Sequence, residues 1–415
     1  MQNAKTSLWL FMPLFFFLCF CILPDRCFKG DMGFWHNWML LIHRYGLGNI
    51  YTFDVNYHPI FLYFLYIFQT FQGSESELQK SLIYVKTIPL AFDFLGALLV
   101  FFLRPLQWKT VLLPFLLLFN ISYLYNSMLW GQVDSIHTFF VLCSVFFILK
   151  NKPIISTLFF VLALNTKLQA IVFAPLVGLL FLANVKSIKT IGKMIFAGFF
   201  LQLIILIPFL FSGTVDELWR VVIGASSKHP FISLNAFNLW YLLHESDHGI
   251  TTDDVTLWGI AYKQWGLFLF FSSSFFTLLP LLIRVWRQRI QGLVYRSDLT
   301  SMSLLIGGLL SILFFWFNTQ MHERYAHPAI LFFFLYGLQT KHYSLYILSS
   351  LAYLLNMEAV LRFFRLNNYD TLLFNEQFIA CLYLLILIIG WGLLYRMWNA
   401  TKLSYLHSPH RSTTP

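Results

Sequence analysis

"PIFLYFLYIFQTF", residues 59–71, is the stretch on which the topology turns. Counted as a membrane crossing, it sends the basic loops 184–193 and 284–296 to the outer face. Counted as a helix lying on the membrane surface, it brings them inside, together with Arg104, Lys109, Lys150, Lys152, Lys186, Lys189, Lys193, Arg284, Arg287, Arg289, Arg296, Lys341, Arg396, Lys402 and Arg411. Cytoplasmic loops carry the excess of Lys and Arg, so the surface-helix reading is preferred.

That a membrane is involved follows from composition. The chain has 415 residues, 58% of them hydrophobic and 11% charged, and a mean hydropathy of +0.69, whereas a soluble domain carries about a quarter charged residues. Spans need roughly 17 to 25 residues. Candidates begin near Ser7, Ser81, Thr110, Ser135, Pro153, Leu168, Met194, Lys263, Thr300, Pro328, Tyr343 and Gln377. This predicts an all-α, polytopic membrane helix bundle of about twelve transmembrane helices, both termini cytoplasmic, forming one domain over 1–415. The first span, "SLWLFMPLFFFLCFCIL" (7–23), is followed by "PDRCFKGD" without a small-residue cleavage site and reads as a retained helix. The five cysteines form neither a disulfide framework nor a zinc spacing. The net charge of +10 sits at the ends of apolar segments, with no basic helix or stacking platform, and excludes nucleic acid as the partner.

With that topology the chemically unusual segments share the extracytoplasmic face. The first loop, 24–80, carries Asp31, Asp54 and His58, and its "FWHNWMLLIHRY" is suited to an amphipathic surface helix. Asp31 reads either as a helix-start carboxylate or as a general base. In "YNSMLWGQVDSIHTFF", Gln132 and Asp134 lie where one span ends and the next begins; turn chemistry accounts for Gly131 and Asp134 better than for Trp130 and Gln132. "LNTKLQAIVFAPL" sets Lys167 and Gln169 between apolar runs, where an ionisable group is by default functional, although a snorkelling lysine is the simpler alternative. "FFWFNTQMHERYAHPAILFFF" adds His322, Glu323, Arg324 and His327. Arg324 can hold a phosphate through two parallel bonds with His322 donating beside it. His327, before Pro328, reads as a helix start. The i, i+1, i+5 spacing of His322, Glu323 and His327 is not the HExxH of a zinc protease. The 212–262 loop carries Trp219 and Trp240, suited to stacking on sugars near an acceptor site or to an interfacial aromatic belt.

Taken in order, "GDMGFWHNWM", "DVNYHPIFLYF", "SLIYVKTIPLAFDFLGALLVFF", "LWGQVDS", "NTKLQA" and "MHERYAHP" resemble the C superfamily (GT-C) of membrane glycosyltransferases that use polyprenyl- or dolichyl-phosphate sugars. The likeness is to the bacterial proteins related to the GPI mannosyltransferases and to the endoplasmic-reticulum glucosyltransferases of lipid-linked oligosaccharides. It covers the chain to about residue 340; a proline pair is reduced to His58–Pro59 and the 212–262 loop has no matching segment. The resemblance implies an inverting hexosyltransferase, moving mannose or glucose from the lipid phosphate to a glycan, lipid or protein acceptor on the extracytoplasmic face. Asp31 would be the catalytic carboxylate, with Arg324, His322 and Lys167 on the donor phosphate. Asp54, His58, Gln132, Asp134, Gln169, Glu323, Trp219 and Trp240 would be in support or at the acceptor. No cofactor is required; the alternative is a divalent ion, Mg or Mn, on Asp31 and Asp134. The compact length points to a bacterial inner membrane with a periplasm-facing site. The competing class is a transporter or flippase of a lipid-linked sugar, against which stand the absence of matching halves and the gathering of polar groups at one face.

Overall fold

The computed structural model describes residues 9, 11–104, 107, 110–185, 187–224, 229–244, 249–290 and 299–406. Lys109, Lys186, Arg296 and Arg411, read above as inner-loop charges, lie outside the described residues, as do 225–228 and 245–248 of the 212–262 loop. The described residues form an all-α membrane protein whose only sheet is the hairpin Thr256–Leu257 and Ile260–Ala261.

Among the described residues, six helices are long and apolar enough to cross a membrane: Glu75–Leu103, Ile188–Ser212, Tyr262–Ile290, Leu299–Phe317, Ser344–Leu361 and Glu376–Asn399. The other expected spans are shorter. Asp134–Leu149 has 16 residues and Pro153–Thr166 has 14, and at 1.5 Å per residue both fall short of the roughly 30 Å hydrocarbon core. The span expected from Thr110 is broken into Phe115–Leu118, Ile121–Leu124 and a π-helical turn, Tyr125–Trp130.

Burial separates the inner helices from the rim. His327–Thr340 is buried at every residue from His327 to Leu338, and Asp134–Leu149 is buried on nearly all sides; a helix apolar all round belongs in the middle of a bundle. Close approach is built from small residues. A Cβ added to Gly308 would stand 2.3 Å from the Phe333 ring, so Leu299–Phe317 meets its neighbour at a distance only glycine permits. Ile188–Ser212 shows most of its surface outward, with Ile195, Phe196 and Phe199 exposed.

The first loop is ordered by its aromatics. Lys29–Tyr45 is a helix that buries Met32, Trp35, Trp38, Met39 and Ile42, positions three or four apart on one face, and it ends at Gly46, whose φ of 79° suits glycine. The stretch on which topology turned forms a 12-residue helix, Pro59–Thr70, with Pro59 in its first turn, where the missing N–H costs nothing. Trp35 packs against Tyr57 and Phe61 at 4.9 and 4.7 Å between ring centroids, clamping the two helices together.

Among the charges of the expected inner loops, Arg104, Arg287 and Arg289 lie at the helix ends remote from residues 318–326. Arg104 donates to the Leu338 carbonyl at 2.7 Å, Arg289 donates to the Leu182 and Val185 carbonyls, and the Arg287 guanidinium lies 5.9 Å from the Trp398 ring centroid.

Candidate functional site

Asp31 occupies the first turn of Lys29–Tyr45, so it is a helix-start carboxylate, and it is also at the mouth of a polar cluster. Its Oδ2 accepts from Trp130 Nε1 at 2.8 Å. Trp130 closes the π turn Tyr125–Trp130, a wide turn of the kind concentrated at functional sites. Gly131 follows with φ 92°; a Cβ there would meet Met32 Sδ at 2.7 Å, and its carbonyl accepts from Trp35 Nε1 at 2.9 Å. The first-loop helix therefore docks on the turn through the one residue that lets it come close, and Asp31 is carried to Trp130 by that contact.

Behind Asp31 the cluster is buried. Asp134 pairs with Lys167 and accepts from Asn126 Nδ2 at 3.0 Å; Gln132 Oε1 accepts from the Tyr57 hydroxyl at 2.9 Å. The Lys167 ammonium lies 4.8 Å from the Tyr325 ring centroid. Arg324 donates to Glu323 at 2.8 Å through Nη1, while its Nε is buried without an acceptor. The Asp31 carboxylate acts on Arg324, Lys167 and His322. Burial works against the Arg324 charge, yet Asp31 and Glu323 hold its pKa well above the ordinary value. Burial also opposes the Glu323 charge, and Arg324 outweighs it, keeping that carboxyl below the usual range. His322 is pushed down by burial and by Arg324, which leaves it neutral at pH 7, with its Nδ1 3.9 Å from Glu323.

The fold thus brings together Asp31, Gln132, Asp134, Lys167, His322, Glu323 and Arg324 from four separated stretches. Asp134, His137, Gln169 and Tyr325 line a cavity of about 10 Å³, the room one buried water needs. His58 is buried beside Leu164, its Nε2 without a partner. Asp54 is exposed on the loop surface. Lys167 does not snorkel: it is committed to Asp134, so a divalent ion on Asp134 would have to displace an ammonium. His327 opens its helix as expected and faces inward, 3.8 Å from Asp93 Oδ1 and stacked on Tyr123.

Of the two expected stacking residues, Trp240 is not in position for it. Trp219 is half-exposed on Val215–Gly224, a helix tied to the first loop by Thr214, which donates to the Gly48 carbonyl at 2.6 Å. Trp240 is wholly buried and donates to the Phe317 and Asn318 carbonyls at 3.1 and 3.2 Å. It braces the 318–326 segment and has no face free for a sugar. The 212–262 loop nonetheless reaches the site through its backbone: Leu234 donates to Met321 at 2.9 Å and Gln320 to Phe231 at 3.0 Å, and Asp253 accepts from Thr319 and Gln320 at 2.7 and 2.8 Å.

Tyr57, Asn126 and Tyr325 are site residues that motif reading passed over. The "NYHP" around Tyr57 stood beside a flagged histidine, but nothing in spacing shows that its hydroxyl meets Gln132, 75 residues away.

The Lys167–Asp134 pair carries a prediction. Lys167→Met leaves a buried carboxylate unpaired, and the double change Lys167→Met, Asp134→Asn removes both charges, so the pair should show a coupling of about 1–3 kcal/mol in a double-mutant cycle. Thermal unfolding of the four proteins in detergent measures it; additive single effects would mean the pair is not coupled.

Compared with models of known protein families and with curated protein sequences, the chain matches none.

Proposed function

We propose that this protein is a membrane glycosyltransferase that moves a hexose from a polyprenyl-phosphate donor to an acceptor hydroxyl. The observation that carries the reading is the pairing of a partly exposed carboxylate, Asp31, with a buried guanidinium whose Nε lacks an acceptor, Arg324. A carboxylate facing water can take a proton, and a buried cation with a spare donor is poised for an anion.

In the proposed reaction the acceptor oxygen attacks the anomeric carbon from the side opposite the lipid phosphate. The new C–O bond forms as the C1–O bond to phosphate breaks, inverting the anomeric centre; the hydroxyl proton passes to Asp31 and the electron pair leaves on the lipid phosphate. Arg324 meets the growing phosphate charge, with His322 as a neutral N–H donor. Preorganised donors in a site poor in water stabilise such charge without reorganisation. Lys167, committed to Asp134, acts through the field it places behind Arg324. The activated donor removes any need for a nucleotide loop, and the sequence has no GxxxxGK[ST] segment.

Within this reading the chain crosses the bilayer about twelve times, the shorter helices included, and the cluster opens on the extracytoplasmic face, periplasmic if the membrane is a bacterial inner one. Support comes from the placement of Arg104, Arg287 and Arg289 at the opposite helix ends, in accord with the positive-inside rule. The test is incubation of purified protein with a panel of polyprenyl-phosphate hexoses, scoring release of polyprenyl phosphate. Consumption of one donor is expected. Movement of donor across a vesicle membrane without cleavage would point to a transporter instead.

A further inference from the structure

A second cavity, of about 760 Å³, opens where Ser344–Leu361 ends and Glu376–Leu406 begins, a volume within the range of small-ligand sites. It lies at the same end of the bundle as Arg324. The 231–238 segment connects the two: Leu234 and Asn235 pair with His322, and a few residues on, the Phe237 N–H donates to Asn356 Oδ1 at 3.1 Å while Asn356 Nδ2 donates to the Asn235 carbonyl at 2.8 Å. Phe237 then forms part of the cavity wall.

The wall is a built structure. Glu358, buried, accepts from the Phe363 and Phe364 backbone N–H groups at 3.0 and 2.9 Å, from the Tyr369 hydroxyl, and from the Tyr125 hydroxyl at 2.5 Å. Arg26 donates to the Phe363 and Arg362 carbonyls at 2.9 and 3.1 Å. Arg362 and Arg365 take φ of 50° and 51°, left-handed values that non-glycine residues hold only where the surroundings over-determine them. Tyr125 also begins the π turn whose Trp130 holds Asp31, so one carboxylate, Glu358, ties this wall to the wall behind Asp31.

The chemistry of the lining selects the ligand. Phe237, Tyr369 and Phe374 supply aromatic surface, while Asp370, Asn375 and Gln377 supply donors and acceptors of both kinds. One arginine stands against two carboxylates, Asp370 and Glu376, and that arginine, Arg362, lies 5.0 Å over the Tyr369 ring. An anion finds no net positive charge there. A neutral polyhydroxyl ligand, with apolar C–H faces and many hydroxyls, finds both of its requirements.

We propose that this cavity is a carbohydrate-binding site that holds the oligosaccharide part of the acceptor, an inference that rests on the glycosyltransferase reading for its role but not for its ligand. The test uses the full chain in nanodiscs and two measurements. Saturation-transfer NMR with neutral α- and β-linked gluco- and mannotrioses should show binding to the wild type, and Asp370→Ala with Gln377→Ala, both exposed positions, should weaken it about tenfold or more, as expected for lost hydrogen bonds. In the transfer assay the same double variant should raise the acceptor KM by a similar factor without changing donor Kd. If the wild type consumes donor and transfers it while no trisaccharide binds, or if the variant binds trisaccharide and acceptor as the wild type does, the inference is overturned and the glycosyltransferase reading stands. If trisaccharide binding is present and lost in the variant while no donor is consumed, the cavity is a sugar site and the reading of the reaction fails. Binding of inorganic phosphate or anionic-lipid vesicles at this cavity, abolished by the same changes, would overturn the assignment to carbohydrate.

Discussion

Asp31→Asn is expected to leave a folded protein that binds donor and turns it over about 10² to 10⁴ times more slowly, the contribution a positioned general base makes. An amide keeps the shape of the carboxylate and cannot take the acceptor proton. Folding should survive because Asp31 is partly exposed and its one hydrogen bond, from Trp130 Nε1 at 2.8 Å, can be accepted by the amide oxygen. The comparison is with Asp54→Asn and Asp134→Asn. Asp54 is exposed and has no role in the proposed reaction, so its change should slow turnover far less. Asp134→Asn removes the partner of a buried ammonium and should lower stability before it lowers the intrinsic rate. Single-turnover rates on folded protein, with folding followed by size exclusion and thermal unfolding, separate these outcomes. A rate for Asp31→Asn near that of the wild type would end its assignment as the base.

Arg324→Ala is expected to weaken donor binding by roughly 30-fold to more than 10³-fold, the loss found when one member of a buried, hydrogen-bonded charge pair is truncated, about 2–5 kcal/mol. Part of that loss would come from Glu323, buried beside it and left unpaired. The double variant Arg324→Ala, Glu323→Gln removes that complication: if donor binding remains weak there, the arginine acted on the donor and not only on its neighbour. Arg324→Lys should recover part of the affinity, since an ammonium supplies the charge but not the planar fork. Donor Kd measured with a fluorescent polyprenyl-phosphate sugar decides it, and equal affinity in the wild type and the double variant would remove Arg324 from the donor site.

How much of this was legible beforehand differs from residue to residue. Lys167 and Arg324 stood out because an ionisable side chain between apolar runs is costly in a bilayer and so is retained for a reason, and Asp31 because it opens a long first loop and takes the place of the catalytic carboxylate that the resemblance implies. What Lys167 does was not legible. Its commitment to Asp134 depends on two helix ends meeting 33 residues apart, and a snorkelling lysine has the same local sequence. The Trp240 expectation failed for a related reason: an interfacial tryptophan and a buried one that caps the Phe317 and Asn318 carbonyls are both aromatic residues in a polar loop.

By itself the sequence determined the solvent and the class. Its hydropathy and sparse charge commit it to a bilayer, where every backbone N–H and C=O in a spanning segment has to be satisfied within it, so the described residues are mostly helical, with one short hairpin. Local chemistry also set several boundaries: Gly46 ends one helix and Pro59 starts another. Tertiary structure alone decided which charges meet. The π turn at Tyr125–Trp130, the glycine that admits Met32, and the backbone pairing of Leu234 with Met321 bring Asp31, Lys167 and Arg324 to one mouth. Such contacts join residues tens to hundreds of positions apart, and helical periodicity, which relates a residue to its neighbours three and four places away, carries no information about them.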